Sequence, residues 1–140
     1  MQVTGILETA LHVADPSRSA EFYRRLFDFD LLLESERLVA LSVAGRNVLL
    51  LFQEGVTSEP LVIEGGVIPP HGGSGHLHLA FSIVAEDVEP WTQRLGSAGV
   101  AVESVVNWPE GGQSLYFRDP DGHLVELATP NIWPLSPSSS

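Results

Sequence analysis

The stretch Glu8-Thr-Ala-Leu-His-Val-Ala-Asp15 has the pattern of a strand that runs into the cap of a helix, and the chain repeats it at His78-Leu-Ala-Phe-Ser-Ile-Val-Ala-Glu-Asp87. The two copies also close alike, on Gly45-Arg-Asn-Val-Leu-Leu-Leu-Phe52 and on Gly122-His-Leu-Val-Glu-Leu-Ala-Thr129. Each copy of such a repeat is a structural unit that buries its apolar face against its twin. The sequence therefore predicts an α+β fold made of two modules, each ordered strand, helix and three strands.

The repeat also sets the boundaries within a single domain. Module one is expected at 6–53 and module two at 76–129, with a linker at 54–75 and a tail at 130–140. The linker holds six glycines and three prolines, and a connection of that length is typical of a functional or mobile loop.

Local patterns place the elements inside each module. Asp15 followed by Pro16 predicts a helix start in module one, and Asp87 predicts one in module two. The segment Asp119-Pro-Asp-Gly122 predicts a hairpin turn. His71 and His123 fall on a loop and a turn, and both are expected to be solvated. The predicted strands are 6–13, 31–34, 38–43, 48–52, 76–83, 100–106, 114–118 and 124–128, and the second helix is 88–98.

Composition excludes several classes of protein. The 140 residues carry a net charge of −11, and their seven basic side chains are scattered arginines, so neither nucleic acid nor an anionic membrane is an expected partner. No apolar run approaches the ~18 residues that a membrane crossing needs. The chain has no cysteine and no basic leader pattern at its start, so a cytoplasmic location is expected.

Strand alternation points to a site for chemistry. Glu8 and His12 share one face of the first strand, His78 lies on the equivalent strand of module two, and Glu126 lies in a strand that otherwise has the pattern of core. Two carboxylates in one concavity repel each other unless a proton or cation lies between them. One imidazole and two carboxylates suit a divalent ion of Mn, Fe, Ni or Zn. The competing interpretation is that these are ordinary solvated strand residues.

Four further residues have open interpretations. His12 either lines the cavity as a general base or is a packed, half-buried histidine. His76 replaces His78 as the ligand if the strand register slips by two. Trp108 and Tyr116 either form the wall of a pocket for an apolar or aromatic substrate or belong to the core.

The segments Ala10–Phe29, Gly75-His-Leu-His-Leu-Ala-Phe81 and Ser114-Leu-Tyr-Phe-Arg-Asp-Pro-Asp-Gly-His-Leu-Val-Glu-Leu127 resemble the signatures of the vicinal oxygen chelate superfamily. This group includes glyoxalase I, fosfomycin-resistance thiol transferases, extradiol dioxygenases and bleomycin-binding proteins. The resemblance implies two βαβββ modules whose curved mixed sheet forms a cup, and metal ligands on the first and last strands of the modules.

Transferred residue by residue, the resemblance implies metal ligands at Glu8, His78 and Glu126. The fourth ligand position falls on Leu49, which cannot coordinate a metal and argues against a standard glyoxalase I. Ser114 and Tyr116 match substrate-binding residues of fosfomycin-resistance enzymes. The resemblance also implies a cationic side chain shortly after the last strand, but this position falls near Leu135, which is uncharged.

The resemblance implies a metal-dependent enzyme, of lyase, isomerase or dioxygenase type, that binds a small oxygenated substrate through the ion. His12 and Tyr116 are its candidate catalytic residues, and Ser114, Tyr116 and Trp108 its candidate substrate contacts. The alternatives are a metal-free binding protein of the bleomycin-resistance type and an inactive structural partner. A homodimer is expected, in which Glu8 serves either its own chain's site or the partner's.

Overall fold

The computed structural model describes residues 1–135 and divides the chain into two compact units, 1–75 and 76 onward. The predicted α+β class and the paired βαβββ modules are confirmed. The predicted tail is described as far as Leu135, and Pro137 and the terminal serines lie outside the described residues. Within residues 1–135, no helix has the length and apolar content that a membrane crossing requires.

Unit 1 is a four-stranded mixed sheet with one helix and one added hairpin. The sheet order is β1-β4-β3-β2, with β1 parallel to β4. Its elements are β1 (Glu8–Val13), α1 (Pro16–Phe27), β2 (Asp30–Glu34), β3 (Leu38–Val43), β4 (Asn47–Gln53), β5 (Leu61–Ile63) and β6 (Gly66–Ile68).

Helix α1 begins where the sequence predicts. The Asp15 carboxylate accepts hydrogen bonds from the backbone N–H groups of Ser17 and Arg18 at 3.1 and 3.2 Å, and Pro16 occupies the first turn, where its missing N–H costs nothing. Ala20, Tyr23 and Leu26 are buried, as their helical spacing predicts.

The linker differs from the predicted loop. Strands β5 and β6 pair as an antiparallel hairpin within it. The Thr57 hydroxyl donates to the His71 carbonyl at 2.6 Å, and the His71 N–H donates to the Thr57 carbonyl at 2.9 Å. These two bonds close residues 57–71 into a defined loop, which the glycine-rich composition did not reveal.

Unit 2 repeats the architecture of unit 1 without the hairpin. The sheet order is β7-β10-β9-β8, with β7 parallel to β10. Its elements are β7 (His78–Ser82), a 3-10 turn (Ala85–Asp87), α2 (Val88–Ser97), β8 (Ser104–Asn107), β9 (Gln113–Arg118), β10 (Leu124–Ala128) and a second 3-10 turn (Pro130–Ile132).

Helix α2 departs from the prediction at its start. The Asp87 side chain makes no capping hydrogen bond, because Asp87 already belongs to the 3-10 turn that leads into the helix. Leu95 is the buried residue of α2. The following strand is shorter than predicted and begins at Ser104 rather than at 100.

His123 corrects a further prediction, because it is buried rather than solvated, with 1% of its surface exposed. The Asp119–Gly122 turn forms as predicted, with the Gly122 N–H bonded to the Asp119 carbonyl at 3.0 Å. The turn directs the His123 ring inward, where its Nδ1 accepts a hydrogen bond from the Leu77 N–H at 2.9 Å. His123 therefore ties the start of β7 to the start of β10.

Candidate functional site

A cavity of about 630 Å³ opens on one face of the unit 2 sheet. Strands β7, β9 and β10 supply His78, Tyr116 and Glu126 to it. Alternation puts these side chains on a single face, since Glu126 lies beside Ala80 on β7 and beside Tyr116 on β9. Four of the predicted site residues, His78, Trp108, Tyr116 and Glu126, thus line one cavity.

The His78 ring is held in one orientation by its backbone partner. Its Nδ1 lies 2.9 Å from the Leu124 carbonyl oxygen. A carbonyl only accepts hydrogen bonds, so Nδ1 carries the hydrogen and the neutral ring presents the lone pair of Nε2. A histidine whose other nitrogen donates to a backbone carbonyl is the usual arrangement for a metal ligand.

The Nε2 atom of His78 faces the carboxylate of Glu126 at 3.2 Å from Oε1. A lone pair and a carboxylate oxygen repel each other at this distance unless a positive charge lies between them. A proton on Nε2 or a metal ion supplies that charge. The pair also lies at the boundary with solvent, because about half of the His78 side chain is exposed and Glu126 is nearly buried.

The second carboxylate oxygen of Glu126 is held by Ser114, which is in turn bonded to Trp108. The Ser114 hydroxyl donates to Glu126 Oε2 at 2.6 Å and accepts from the Trp108 indole N–H at 2.9 Å. Ser114 is fully buried and lies behind the cavity lining rather than on it. The chain of bonds from Trp108 through Ser114 leaves Oε1 as the oxygen of Glu126 that faces His78.

Tyr116 is held in its protonated form. Partial burial raises the pKa of the Tyr116 phenol, and the nearby Glu126 carboxylate raises this pKa further. Because the pKa is displaced upward from an ordinary value near 10, the phenol is neutral at physiological pH. Tyr116 therefore offers the cavity a hydrogen-bond donor and not a base.

Unit 1 carries the counterpart of this cavity, about 540 Å³ in volume. The parallel pairs place Glu8 beside Val48 and His78 beside Leu124, so Glu8 and His78 are equivalent. The same registers make Leu50 the equivalent of Glu126. The predicted fourth ligand position, Leu49, therefore lies one residue away from the structural equivalent of Glu126.

The corrected register explains the difference between the two cavities. Leu50 lines the unit 1 cavity beside Glu8, whereas Leu49 is buried on the opposite face of the sheet with 1% of its surface exposed. Unit 1 thus lacks a carboxylate at the position of Glu126, although Glu8, Glu59 and Arg37 all line its cavity. The conclusion that a leucine occupies the fourth ligand position is unchanged.

Glu8 and His12 both lie in unit 1. Glu8 lines the unit 1 cavity. His12 is 6% exposed, with its ring centroid 5.9 Å from that of Phe52 and 5.4 Å from that of His71. These contacts agree with a packed histidine, and a catalytic role for His12 stays a prediction. Among residues 1–135, no group of three or more His, Cys, Asp or Glu side chains is close enough to hold a metal ion.

Sequence reasoning missed part of the cavity wall. The segment after β10 contributes Ile132, Trp133 and Leu135, and β7 contributes Phe81. The signal available in the sequence was that Trp133 and Leu135, two large apolar residues, lie among prolines just after the last strand. His76, the alternative ligand, precedes β7 and does not line the cavity.

Comparison with known proteins agrees with this architecture. The sequence model of the Glyoxalase/Bleomycin resistance protein/Dioxygenase superfamily matches residues 5–127. The chain belongs to this superfamily. A metallothiol transferase FosB from Bacillus licheniformis is 32% identical over 133 residues, which is 94% of this chain and 79% of the relative.

Two further members are similar over most of their length. A metallothiol transferase FosB from Staphylococcus epidermidis is 33% identical and aligns over 92% of this chain and 84% of its own. The crystal structure of a lactoylglutathione lyase from Agrobacterium tumefaciens superposes with a TM-score of 0.87 at 32% identity and covers 96% of this chain and 100% of its own.

The superfamily implies a divalent metal, and the His78–Glu126 pair fits one. Two ligand atoms that each lie about 2.1 Å from a shared ion are about 3.2 Å apart when the angle between them is near 100°. The observed separation of Nε2 and Oε1 is 3.2 Å. Both atoms are of the type that Mn, Fe, Ni and Zn accept, and both are oriented by hydrogen bonds to neighbouring groups.

Trp108→Phe tests the chain of bonds behind Glu126. The change keeps an aromatic wall but removes the N–H that Ser114 accepts. Loss of such an outer partner weakens metal affinity by roughly tenfold, and we expect about this reduction in a Mn²⁺ titration. Trp133→Phe is the matched control, since it removes an indole N–H from a wall residue that is 66% exposed. Equal effects of the two variants would contradict an orienting role for Trp108.

Proposed function

We propose that this chain is a metal-dependent enzyme that holds a divalent ion on His78 and Glu126 and binds a small oxygenated substrate in the unit 2 cavity. The observation that carries the proposal is the approach of His78 Nε2 to Glu126 Oε1 at 3.2 Å, with Nδ1 committed to the Leu124 carbonyl. Similarity to metallothiol transferases and to a lactoylglutathione lyase supports transferase or lyase chemistry on a thiol-bearing molecule.

The bound ion would supply Lewis-acid polarisation of a substrate oxygen. The neutral Tyr116 phenol lies on the same face and donates a hydrogen bond to an oxygen of the substrate. Trp108 and Ser114 keep Glu126 oriented, so that no reorganisation is needed when charge develops nearby. The aromatic wall residues position the apolar part of the substrate.

We propose Glu8 as the third protein ligand, supplied by a second copy of the chain in a homodimer. Two observations support a shared site: only two of the predicted ligands meet within unit 2, and Glu8 occupies the position equivalent to His78 in unit 1. Exposed apolar side chains in the described part of the chain, among them Leu32, Leu33 and Val105, supply surface that a second copy would cover.

Subunit mixing tests both parts of the proposal. Wild-type protein should bind about one Mn²⁺ per chain, and Glu8→Gln and His78→Ala should each bind it weakly. If the two ligand sets come from different chains, a mixed dimer of the two variants has one intact site. About half of the dimers in a refolded equimolar mixture are mixed, so tight binding should then return at about a quarter of an ion per chain.

The controls are each variant refolded with itself. Weak binding in the mixture, together with tight binding in the wild type, would assign Glu8 to the site of its own chain. Tight binding by Glu8→Gln refolded with itself would remove Glu8 from the site. No uptake of Mn²⁺, Fe²⁺, Ni²⁺ or Zn²⁺ by the wild type would overturn the enzyme proposal.

A second candidate function is a metal-free binding protein. The unit 2 cavity favours it in one respect, since apolar and aromatic side chains dominate the lining, as in sites that hold ligands by shape. In that case a proton on His78 would replace the ion. Ligand binding that is unchanged by chelator, in a protein that takes up no metal, would support this alternative.

A further inference from the structure

Arg37 differs from the other arginines of the chain in its surroundings. The chain has seven arginines and no lysine, and all seven arginines lie within the described residues 1–135. Six of them are exposed, whereas Arg37 is partly buried. Arg37 is also the one arginine that lines either the unit 1 cavity or the unit 2 cavity. It is therefore the fixed positive charge that these two cavities have.

The guanidinium of Arg37 has no partner within residues 1–135, since it makes neither a hydrogen bond nor an ion pair there. The carboxylates of Glu8 and Glu59 line the same cavity, but neither pairs with it. Much of the remaining wall is apolar, including Leu38, Leu50, Phe52, Leu61 and Ile68. A guanidinium that loses water without gaining a partner costs free energy. An anion that enters the cavity would supply the partner.

The backbone on both sides of Arg37 is fixed by hydrogen bonds. Its N–H donates to the Ser35 hydroxyl at 3.2 Å, and its carbonyl accepts from the Gln53 N–H at 2.9 Å. The Leu38 N–H donates to the same Ser35 hydroxyl at 3.2 Å. The side chain therefore starts from a fixed point, and only its own rotamers need to be ordered when a ligand binds.

The strand registers put Arg37 far from Glu8 along the sheet. Glu8 on β1 is level with Val48 on β4, whereas Arg37 is bonded to Gln53, five residues further along β4. Five residues of a strand span about 17 Å. A ligand that contacts an ion held by Glu8 therefore needs an extended body to reach the guanidinium as well.

We propose that Arg37 binds a carboxylate group of the substrate, at the end that lies away from the metal ion. The fork of a guanidinium matches a planar carboxylate through two parallel hydrogen bonds. A divalent ion offsets the charges of Glu8 and Glu126, so these carboxylates no longer oppose an anion. Because Glu59 also lines the cavity, one guanidinium suits a singly charged carboxylate better than a doubly charged phosphonate.

The inference rests on the proposed function in one respect, namely that Glu8 brings the unit 1 cavity to the ion. Arg37 and Glu8 line that cavity together, so a second copy of the chain that supplies Glu8 also supplies Arg37. The composite site would then hold the substrate at two points, by an oxygen on the ion and by a carboxylate on Arg37.

Hydroxamates with tails of different length test the inference. A hydroxamate binds a divalent ion through two oxygens, and tails of two, four or six methylene groups would end in a carboxylate or in the matching amide. Each probe would be titrated calorimetrically at pH 7 into the full chain loaded with Mn²⁺. On the longer tails we expect the carboxylate to bind about tenfold more tightly than the amide. The shortest tail should show little preference, because it does not reach Arg37.

Arg37→Met separates the charge of Arg37 from the packing of its stem. Methionine keeps an unbranched apolar stem but has no guanidinium. We expect this variant to lose the preference for the carboxylate, with its affinity for the amide probes and for Mn²⁺ unchanged. Arg37→Lys should keep part of the preference, because it keeps the charge without the fork. Glu59→Gln is the matched control for a charge in the same lining, and it should not weaken the carboxylate probes.

The outcomes separate the inference from the proposed function. Uptake of Mn²⁺ and binding of the hydroxamates without a carboxylate preference at any tail length would overturn the inference alone. A preference that survives in Arg37→Met would overturn it too, as would equal losses for both kinds of probe, which would show that only the stem contributes. Failure of the wild type to take up Mn²⁺ would defeat the proposed function and the inference together.

Discussion

His78→Ala and Glu126→Gln should each lower the affinity for Mn²⁺ by at least about 100-fold. The first change removes the Nε2 atom of His78, and the second removes the negative charge of the carboxylate that faces Nε2 at 3.2 Å. Glutamine keeps the size of Glu126 and its acceptor oxygen but loses the negative charge, so the change tests charge rather than packing. Isothermal titration with Mn²⁺ after treatment with chelator measures the effect directly.

His76→Ala is the matched control for this pair of variants. His76 lies two residues before His78, is exposed, and does not line the cavity. The His76→Ala variant should bind Mn²⁺ with the same affinity as the wild type. A loss of affinity in His76→Ala that exceeds the loss in His78→Ala would show that β7 is used in the shifted register, with His76 as the ligand.

His123→Ala should lower the free energy of unfolding by about 2–4 kcal/mol, because it empties a buried position and leaves the Leu77 N–H without its acceptor. The His123 ring is 1% exposed and accepts that N–H at 2.9 Å. The Leu77 carbonyl in turn accepts the Leu124 N–H at 2.8 Å. These bonds fix the residue before His78 against the strand whose carbonyl holds the His78 ring.

Urea unfolding followed by circular dichroism measures this loss. His123→Asn is the matched control, since its side-chain oxygen lies at the position of Nδ1 and keeps an acceptor for Leu77, so a smaller loss is expected. We also expect weaker Mn²⁺ binding by His123→Ala below its unfolding transition. Unchanged stability of His123→Ala would contradict the tie between β7 and β10.

Elements defined by neighbouring residues were predictable from the sequence. The Asp15-Pro16 start of α1 and the Asp119–Gly122 turn depend on side chains that bond to their own backbone within a few residues. Strand β10 lies where its apolar run predicts. Such local signals need no knowledge of the partner strands.

Features that depend on strand pairing were not predictable with the same accuracy. A shift of one residue moves a strand side chain to the opposite face, and the error between Leu49 and Leu50 is of this kind. The burial of His123 depends on Leu77, which is 46 residues away in the chain. Trp133 and Leu135 line the cavity from the segment that follows the 3-10 turn at Pro130–Ile132.

The candidate metal site was predicted in part. The structure brings His78 and Glu126 together because the parallel pairing of β7 and β10 puts both side chains on the sheet face that lines the cavity. The predicted substrate residue Ser114 instead supports Glu126 from behind the cavity wall. Glu8 lines the cavity of the other unit, and its proposed role as a ligand requires a second copy of the chain, which sequence patterns within one chain do not encode.

The most direct measurement is anomalous diffraction at the Mn edge from crystals grown with MnCl₂ and no chelator. We expect a single strong peak about 2.0–2.3 Å from His78 Nε2 and from a carboxylate oxygen of Glu126. Strong density elsewhere on the chain, or a His78–Glu126 pair with only a hydrogen bond between its atoms, would contradict a metal-dependent enzyme at this site.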